Sequence, residues 1–333
     1  MYKKGILFIC ISVIAMAINA QSVKELNVGD KLSLRGLSVV DDNIVWVSGS
    51  KGTVGKSIDA GKTWEWIVVK DYEKSDFRDI EAFSTDVAII MAVAEPAYIL
   101  KTINGGKSWK KVYKNTAKGM FLDAMDFTDE KQGIVVGDPI DGNFFLAETV
   151  NGGDSWNAWE KTANIVTADT SEACFASSGT NIRTIDKSRF VFVSGGVSSN
   201  LFTGSGKIIK LPLVQGKTST GANSIAIKDS LTYIVVGGDF TNDSATPNSA
   251  LTTDGGKTWI FPEKSPAGYK SCVEYILGDT WICCGLTGVD ITNDNGKTWK
   301  QISTTSYHAC RKAKKGKAVY FSGNEGRIGM LVY

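Results

Sequence analysis

The chain has 333 residues, 43% of them hydrophobic and 22% charged, which marks a folded globular protein rather than a disordered one. Lys and Arg number 37 against 35 Asp and Glu, a net +2, and the balance excludes a dedicated nucleic-acid binder. The single histidine, His308, excludes a multi-histidine zinc site and leaves a Ser-His-Asp triad only with His308 as the base.

Lys3 and Lys4 precede an apolar run from Ile6 to Ile18, followed by Asn19-Ala20. A basic start, a short apolar stretch and a small-residue end predict a secretory signal peptide over residues 1–20, cut after Ala20. The run is shorter than the ~20 residues needed to cross a bilayer. The expected mature protein, residues 21–333, is exported, periplasmic or secreted, with no integral membrane segment.

An eight-residue pattern, [ST]-x-[DN]-x-G-x-[ST]-W, then recurs. The copies run from Ser57, Thr102, Thr149, Thr252 and Thr292 and end at Trp64, Trp109, Trp156, Trp259 and Trp299. The Trp spacings are 45, 47, 103 and 40 residues, so the long gap holds two units and one copy has decayed, near Thr203-Gly-Ser205-Gly206. About 45 residues per unit predicts seven units in residues 21–333.

Each unit reads as four short strands. In the second they are Phe77–Phe83, Val87–Ala94, Tyr98–Ile103 and Ser108–Tyr113, with turn residues between. Four strands per unit is a propeller blade. The predicted fold is all-β: a single seven-bladed β-propeller with four-stranded antiparallel blades. The last unit has three strands, Ala309–Lys312, Ala318–Ser322 and Arg327–Tyr333, so the mature N-terminus, around Val23–Val28, is expected to supply the fourth and close the ring.

The repeated box is read as structural. Asp59, Asn104, Asn151, Asp254 and Asp294 accept N–H bonds across the turn between third and fourth strands, and glycine supplies a positive φ. Trp64, Trp109, Trp156, Trp259 and Trp299 are expected to tuck between adjacent sheets. Burying ~200 Å² of indole contributes about 5 kcal/mol as an upper bound. The Gly-Lys-[Ser/Thr] within the box lacks the upstream glycine of a phosphate loop.

Five cysteines follow the predicted cleavage site: Cys174, Cys272, Cys283, Cys284 and Cys310. An odd number leaves at least one unpaired. Cys283 and Cys284, in an apolar run, read as small hydrophobes. Cys272 and Cys310 each follow a tyrosine by three residues, and a bridge between these matching positions is an open alternative.

The boxes resemble the BNR or Asp-box repeat of sialidases, xyloglucanases and sortilin-type receptors. With Phe77-Arg78-Asp79-Ile80, Gly137-Asp138-Pro139 and Gly268-Tyr269-Lys270-Ser271, the chain is similar to the photosystem II stability/assembly factor-like family over nearly its whole mature length. That resemblance implies a seven-bladed propeller acting as a protein-binding or assembly module. The implied partner is an envelope or extracellular protein, or a glycan.

In such a ring the starts of first strands and the ends of second strands share one rim, and a ligand site is expected where the channel opens there. Candidate binding residues are Arg35, Arg78, Asp138, Asp239, Tyr269 and His308. Glu95, Asp141, Asp243 and the loop Phe240–Asn248 lie nearby in sequence order. Asp123 and Glu172 are candidate catalytic carboxylates for the alternative, a sialidase- or xyloglucanase-type glycoside hydrolase. The sequence departs from sialidases at Arg35-Gly36-Leu37, where they carry Arg-Ile-Pro. It is also far shorter than the two-propeller xyloglucanases. A binding module is therefore favoured over an enzyme, with no cofactor and no metal expected.

Overall fold

The computed structural model describes residues 21–26, 31–159 and 166–333. The predicted signal peptide lies outside them, as do the last residues of the predicted closing strand. The strands form seven sheets arranged as a seven-bladed propeller. Blade 1 runs Leu34–Val39, Val45–Gly49, Thr53–Ser57 and Glu65–Val68, and blade 2 Phe77–Ala82, Ala88–Ala92, Ala97–Thr102 and Lys110–Asn115. Blade 3 covers Leu122–Ala158, blade 4 Ile182–Lys210, and blade 6 Cys272–Ser303. Neighbouring strands within each blade pair antiparallel.

The ring closes as the unpaired last unit requires. Ser22–Leu26 pairs with Ile328–Val332, from Ser22 opposite Val332 to Leu26 opposite Ile328. Blade 7 is thus Ala309–Lys312, Val319–Ser322, Ile328–Val332 and the N-terminal strand. Blade 5 is the irregular one. Thr220–Ile227, Tyr233–Asp239 and Ser249–Thr252 are its regular strands, and its outer strand shrinks to the bridge Leu251–Ile260. On its inner side the sheet extends instead through Gly195–Gly196 to Glu172–Ala173.

The box turns explain themselves atom by atom. Asp59 accepts the Thr63 N–H at 2.9 Å and the Thr63 hydroxyl at 2.7 Å, while Ser57 Oγ accepts the Gly61 N–H at 2.9 Å. The Thr63 bonds hold the Asp59 carboxyl down at about 2. Gly106 shows why glycine is needed: φ is +88°, and a Cβ would sit 2.6 Å from Ile67 Cδ1 of the preceding blade. In the decayed copy Ser205 stands for the Asp or Asn, yet Thr203 Oγ1 still accepts the Lys207 N–H at 3.0 Å. Half of the turn chemistry survives there without its Trp. The box Trp residues wedge between their own sheet and the one before. Trp156 joins Ile89 of blade 2 and Met125 of blade 3, and Trp299 joins Ile234 of blade 5 and Trp281 of blade 6.

The innermost strands leave one edge facing the channel, and polar side chains lace them together. Ser38 Oγ accepts the N–H of Ala82, Asp79 Oδ2 that of Met125, Asp126 Oδ2 that of Thr184, and Ser224 Oγ that of Val273, at 2.7–3.0 Å. Each pair joins consecutive blades, so backbone donors that would otherwise be orphaned in the channel wall are satisfied.

Candidate functional site at the channel mouth

Four first strands begin with a β-bulge. The extra residues are Arg35, Arg78, Asp123 and Asn223 in blades 1, 2, 3 and 5. A bulge re-aims one side chain without shifting the rest of the strand. Here it turns the bulged residue to the channel while its neighbours keep their place in the core. Asp138, on the second strand of blade 3, is likewise the extra residue of a bulge.

Arg35, Arg78, Asp138, Tyr269 and His308 line one open cavity of about 510 Å³ at this rim. Phe121, Phe175, Phe240, Asn223 and Leu286 complete the wall. The aromatic side is ordered: Phe240 stands edge-on to both Phe175 and Tyr269, and Arg78 lies over Phe121 with 5.6 Å from guanidinium carbon to ring centroid. Tyr269 donates its hydroxyl to Asn223 Oδ1 at 2.6 Å, and burial pushes its acidity constant up to about 12.

The mouth carries two arginines, Arg35 and Arg78, and one carboxyl group, Asp138. Arg78 pairs with Asp76 at 2.7 Å, but among the described residues Arg35 has no carboxylate partner and donates only to the Ser177 carbonyl, at 3.3 Å. Burial and the charge of Arg78 lower the Arg35 constant. His308 is pushed down to about 3, first by burial and then by Arg35, Arg78 and Arg327. It is therefore neutral at physiological pH and unsuited to act as an ordinary general base. The sign of its linkage follows. The unfolded histidine takes a proton near 6.5 and the folded one only near 3, so its contribution is whole above pH 6.5 and lost as pH falls toward 3. His308→Gln is expected to flatten the acid limb of stability, by no more than about 1.4 kcal/mol per pH unit. Denaturant midpoints at pH 7, 5 and 4 check this, and an unchanged slope in the variant would remove His308 from the account.

The floor of the cavity is a segment absent from the sequence reading. Cys174–Thr180, on the way into blade 4, crosses the channel and is held by every other blade. Asp138 accepts the Cys174 N–H at 3.0 Å, Arg35 reaches the Ser177 carbonyl, and Ser178 Oγ donates to the Ser271 carbonyl at 2.7 Å. Thr180 Oγ1 donates to Ser224 at 2.6 Å, Arg311 donates to the Gly179 carbonyl at 2.8 Å, and Gly179 lies against Asp79. This plug divides the channel. A second cavity of about 400 Å³ opens at the other rim, around Phe83, Phe127, Arg183 and Lys314, and shares no lining residue with the first.

The remaining candidates sit elsewhere. Glu172 was expected at the start of a first strand, but the first strand of blade 4 begins at Ile182, and Glu172 lies in the short strand that extends blade 5. Its carboxylate is buried and accepts bonds from Ser194 Oγ, the Asn200 amide at 2.8 Å and the Asp169 N–H at 2.8 Å. Asp123 is fully buried below the mouth. The N–H groups of Ala176 and Asp138 face it without reaching hydrogen-bond geometry. Burial, with Asp138 next to it, pushes Asp123 well above the carboxylate range, and burial raises Asp138 to about 6. Asp239 is buried in its own turn, accepting the Thr241 hydroxyl at 2.6 Å and N–H at 2.9 Å, and does not reach the cavity. Phe121, Phe175, Asn223 and the plug were missed. A signal for the plug existed in the run of small residues Ala176–Gly179, the kind of side chains that thread a narrow channel.

Comparison with known proteins agrees with this architecture. The family model for the photosynthesis system II assembly factor YCF48 matches residues 15–119. No curated protein matches the chain in sequence. Among solved structures, YCF48 bound to D1 peptide is similar with a TM-score of 0.64 and 16% identity, over 96% of this chain and 97% of that one. YCF48 from Cyanidioschyzon merolae gives 0.64 and 16% over 93% and 98%, and the WD40 β-propeller domain of Doa1 gives 0.64 and 12% over 95% and 98%. Among the described residues no helix is long and apolar enough to cross a membrane. The resemblance read from the boxes holds: the chain is a seven-bladed β-propeller that resembles the photosystem II assembly factor family, whose model matches its first blades.

Proposed function

We propose that the chain is an exported assembly- or stability-factor-like module that holds a segment of an envelope or extracellular protein in the channel mouth. The observation that carries this reading is the pairing of Arg35, without a carboxylate partner, with the aromatic wall of Phe121, Phe175, Phe240 and Tyr269 around one open cavity. Cationic and aromatic groups together suit a peptide that carries both a carboxylate and apolar side chains. The likeness to a YCF48 structure with a bound peptide supports the same choice. The test is photo-crosslinking in the cell envelope from a reactive residue placed at Leu286. The parent is expected to capture a defined protein, and Arg35→Ala/Arg78→Ala to lose at least about 90% of that product, the effect of about 1.4 kcal/mol. Equal capture by both proteins would sink the reading.

One observation favours a second reading. Asp123 and Asp138 share a site in which burial raises both carboxyls, Asp138 to about 6, the direction acid–base glycoside chemistry needs. Release of sugars from a mixed glycan panel by the parent, lost in Asp123→Asn and in Asp138→Asn, would establish the glycosidase. No release from the parent would end it.

A further inference from the structure

We propose that Cys272, Cys284 and Cys310 form a buried binding site for one thiophilic d10 cation, Cu(I), at the junction of blades 6 and 7. The three thiols come from three strands. Cys272 is on the first strand of blade 6 and Cys284 lies directly opposite it on the second. Cys310 is on the first strand of blade 7. All three are fully buried and free, and their sulfurs lie within 4.8 Å of one another, with Cys272 and Cys310 at 3.5 Å.

The spacing suits a metal. An ion about 2.3 Å from each of three sulfurs holds those sulfurs about 4 Å apart, between the two distances above. The donor set selects the metal. Three sulfurs converge with no imidazole or carboxylate among them, and thiolates favour soft cations. Zn(II) takes a fourth ligand in closed sites. Two oxygens lie close to Cys272 Sγ: the Cys310 carbonyl at 3.3 Å, a main-chain group, and Thr180 Oγ1 at 3.6 Å, already engaged with Ser178 and Ser224. A three-coordinate site therefore fits Cu(I) better.

The thiols also lace the two blades together. At the position where Ser224 accepts a backbone N–H from the next blade, Cys272 Sγ accepts the N–H of Cys310 at 3.3 Å. A bound cation displaces thiol protons to solvent.

The chain is purified without oxygen, then unfolded and refolded with Cu(I) buffered by a coloured bidentate chelator, because a closed site loads as the protein folds. The parent is expected to withdraw one Cu(I) per chain, with an ultraviolet sulfur-to-copper band, and to release protons. Cys174→Ser and Cys283→Ser are expected to keep that stoichiometry. Cys272→Ala and Cys310→Ala are expected to lower it at least about tenfold while retaining the parent's circular dichroism. Should Cys310→Ala fail to fold, Cys284→Ala supplies the same comparison. No withdrawal by the parent, retention of copper in the alanine variants, or preferential uptake of Zn(II) would overturn the proposal. So would a Cys272–Cys310 disulfide that persists under the reducing conditions.

Discussion

Replacing Lys270 by methionine is expected to cost about 3–5 kcal/mol of folding stability. Lys270 is fully buried beneath the channel mouth, 2.7 Å from an Asp290 carboxylate that is itself 3% exposed. The ammonium group is ion-paired with Asp290 and donates to Thr287 Oγ1 at 3.0 Å and the Gly288 carbonyl at 3.0 Å. Methionine fills much of the same volume but leaves the Asp290 charge with the Ala267 N–H, at 3.2 Å, as its remaining donor. An uncompensated buried charge, rather than the loss of an attraction, dominates the cost. The double variant Lys270→Met/Asp290→Leu is therefore expected to recover most of the loss. Urea midpoints of the three proteins decide it. A double variant as unstable as the sum of both single changes would show that the pair is not acting as a unit.

Gly179→Ala is the second large effect, and it tests the plug. Gly179 has φ +63°, which strains any other residue by about 1–3 kcal/mol. An added Cβ would also fall on the Asp79 carboxyl. That carboxyl cannot step aside cheaply, since its oxygens accept the Ile80 and Met125 N–H groups at 2.8 Å. Gly142→Ala is the control: φ is +77°, and no heavy atom lies within 4 Å of the new Cβ. Both variants carry the backbone strain, and Gly179→Ala alone carries the collision. It is expected to be the less stable by at least about 1 kcal/mol and to exchange the amide protons of Ser178 and Thr180 faster. Equal losses would mean that the plug yields without resistance.

Much of the ring was legible in the sequence because its signals are local. The Asn104-Gly105-Gly106 turn needs particular residues at particular φ values, and it repeats at the blade period. The closing strand followed from counting: a last unit with three strands needs a fourth. The mouth was partly legible for the same reason. Arg35, Arg78, Tyr269 and His308 sit at strand starts, and strand starts face one rim. The rest depends on contacts between residues far apart in the chain. Asp123 and Arg78 occupy equivalent bulges, yet one side chain is sealed under Ala176 and the other is open. That difference comes from the plug, whose course is set by Arg35, Ser271 and Arg311 rather than by its own pattern. Glu172 misled because the stretch before blade 4 has no period, so the seven residues of plug read as the approach to a strand.

Closing the ring with the chain's own beginning also orders events during synthesis. Ser22–Leu26 leaves the ribosome among the first strands, but its partner Ile328–Val332 follows about 300 residues later. At ~5–20 residues per second that is a wait of some tens of seconds. Blades 1 to 6 are hairpins that can assemble as they emerge, whereas Ser22–Leu26 stays without its neighbour until Ile328–Val332 arrives. Completion of the ring is thus a post-synthetic step. Until it occurs, Ser22–Leu26 is a strand without a neighbour, which a chaperone or a second nascent copy can engage.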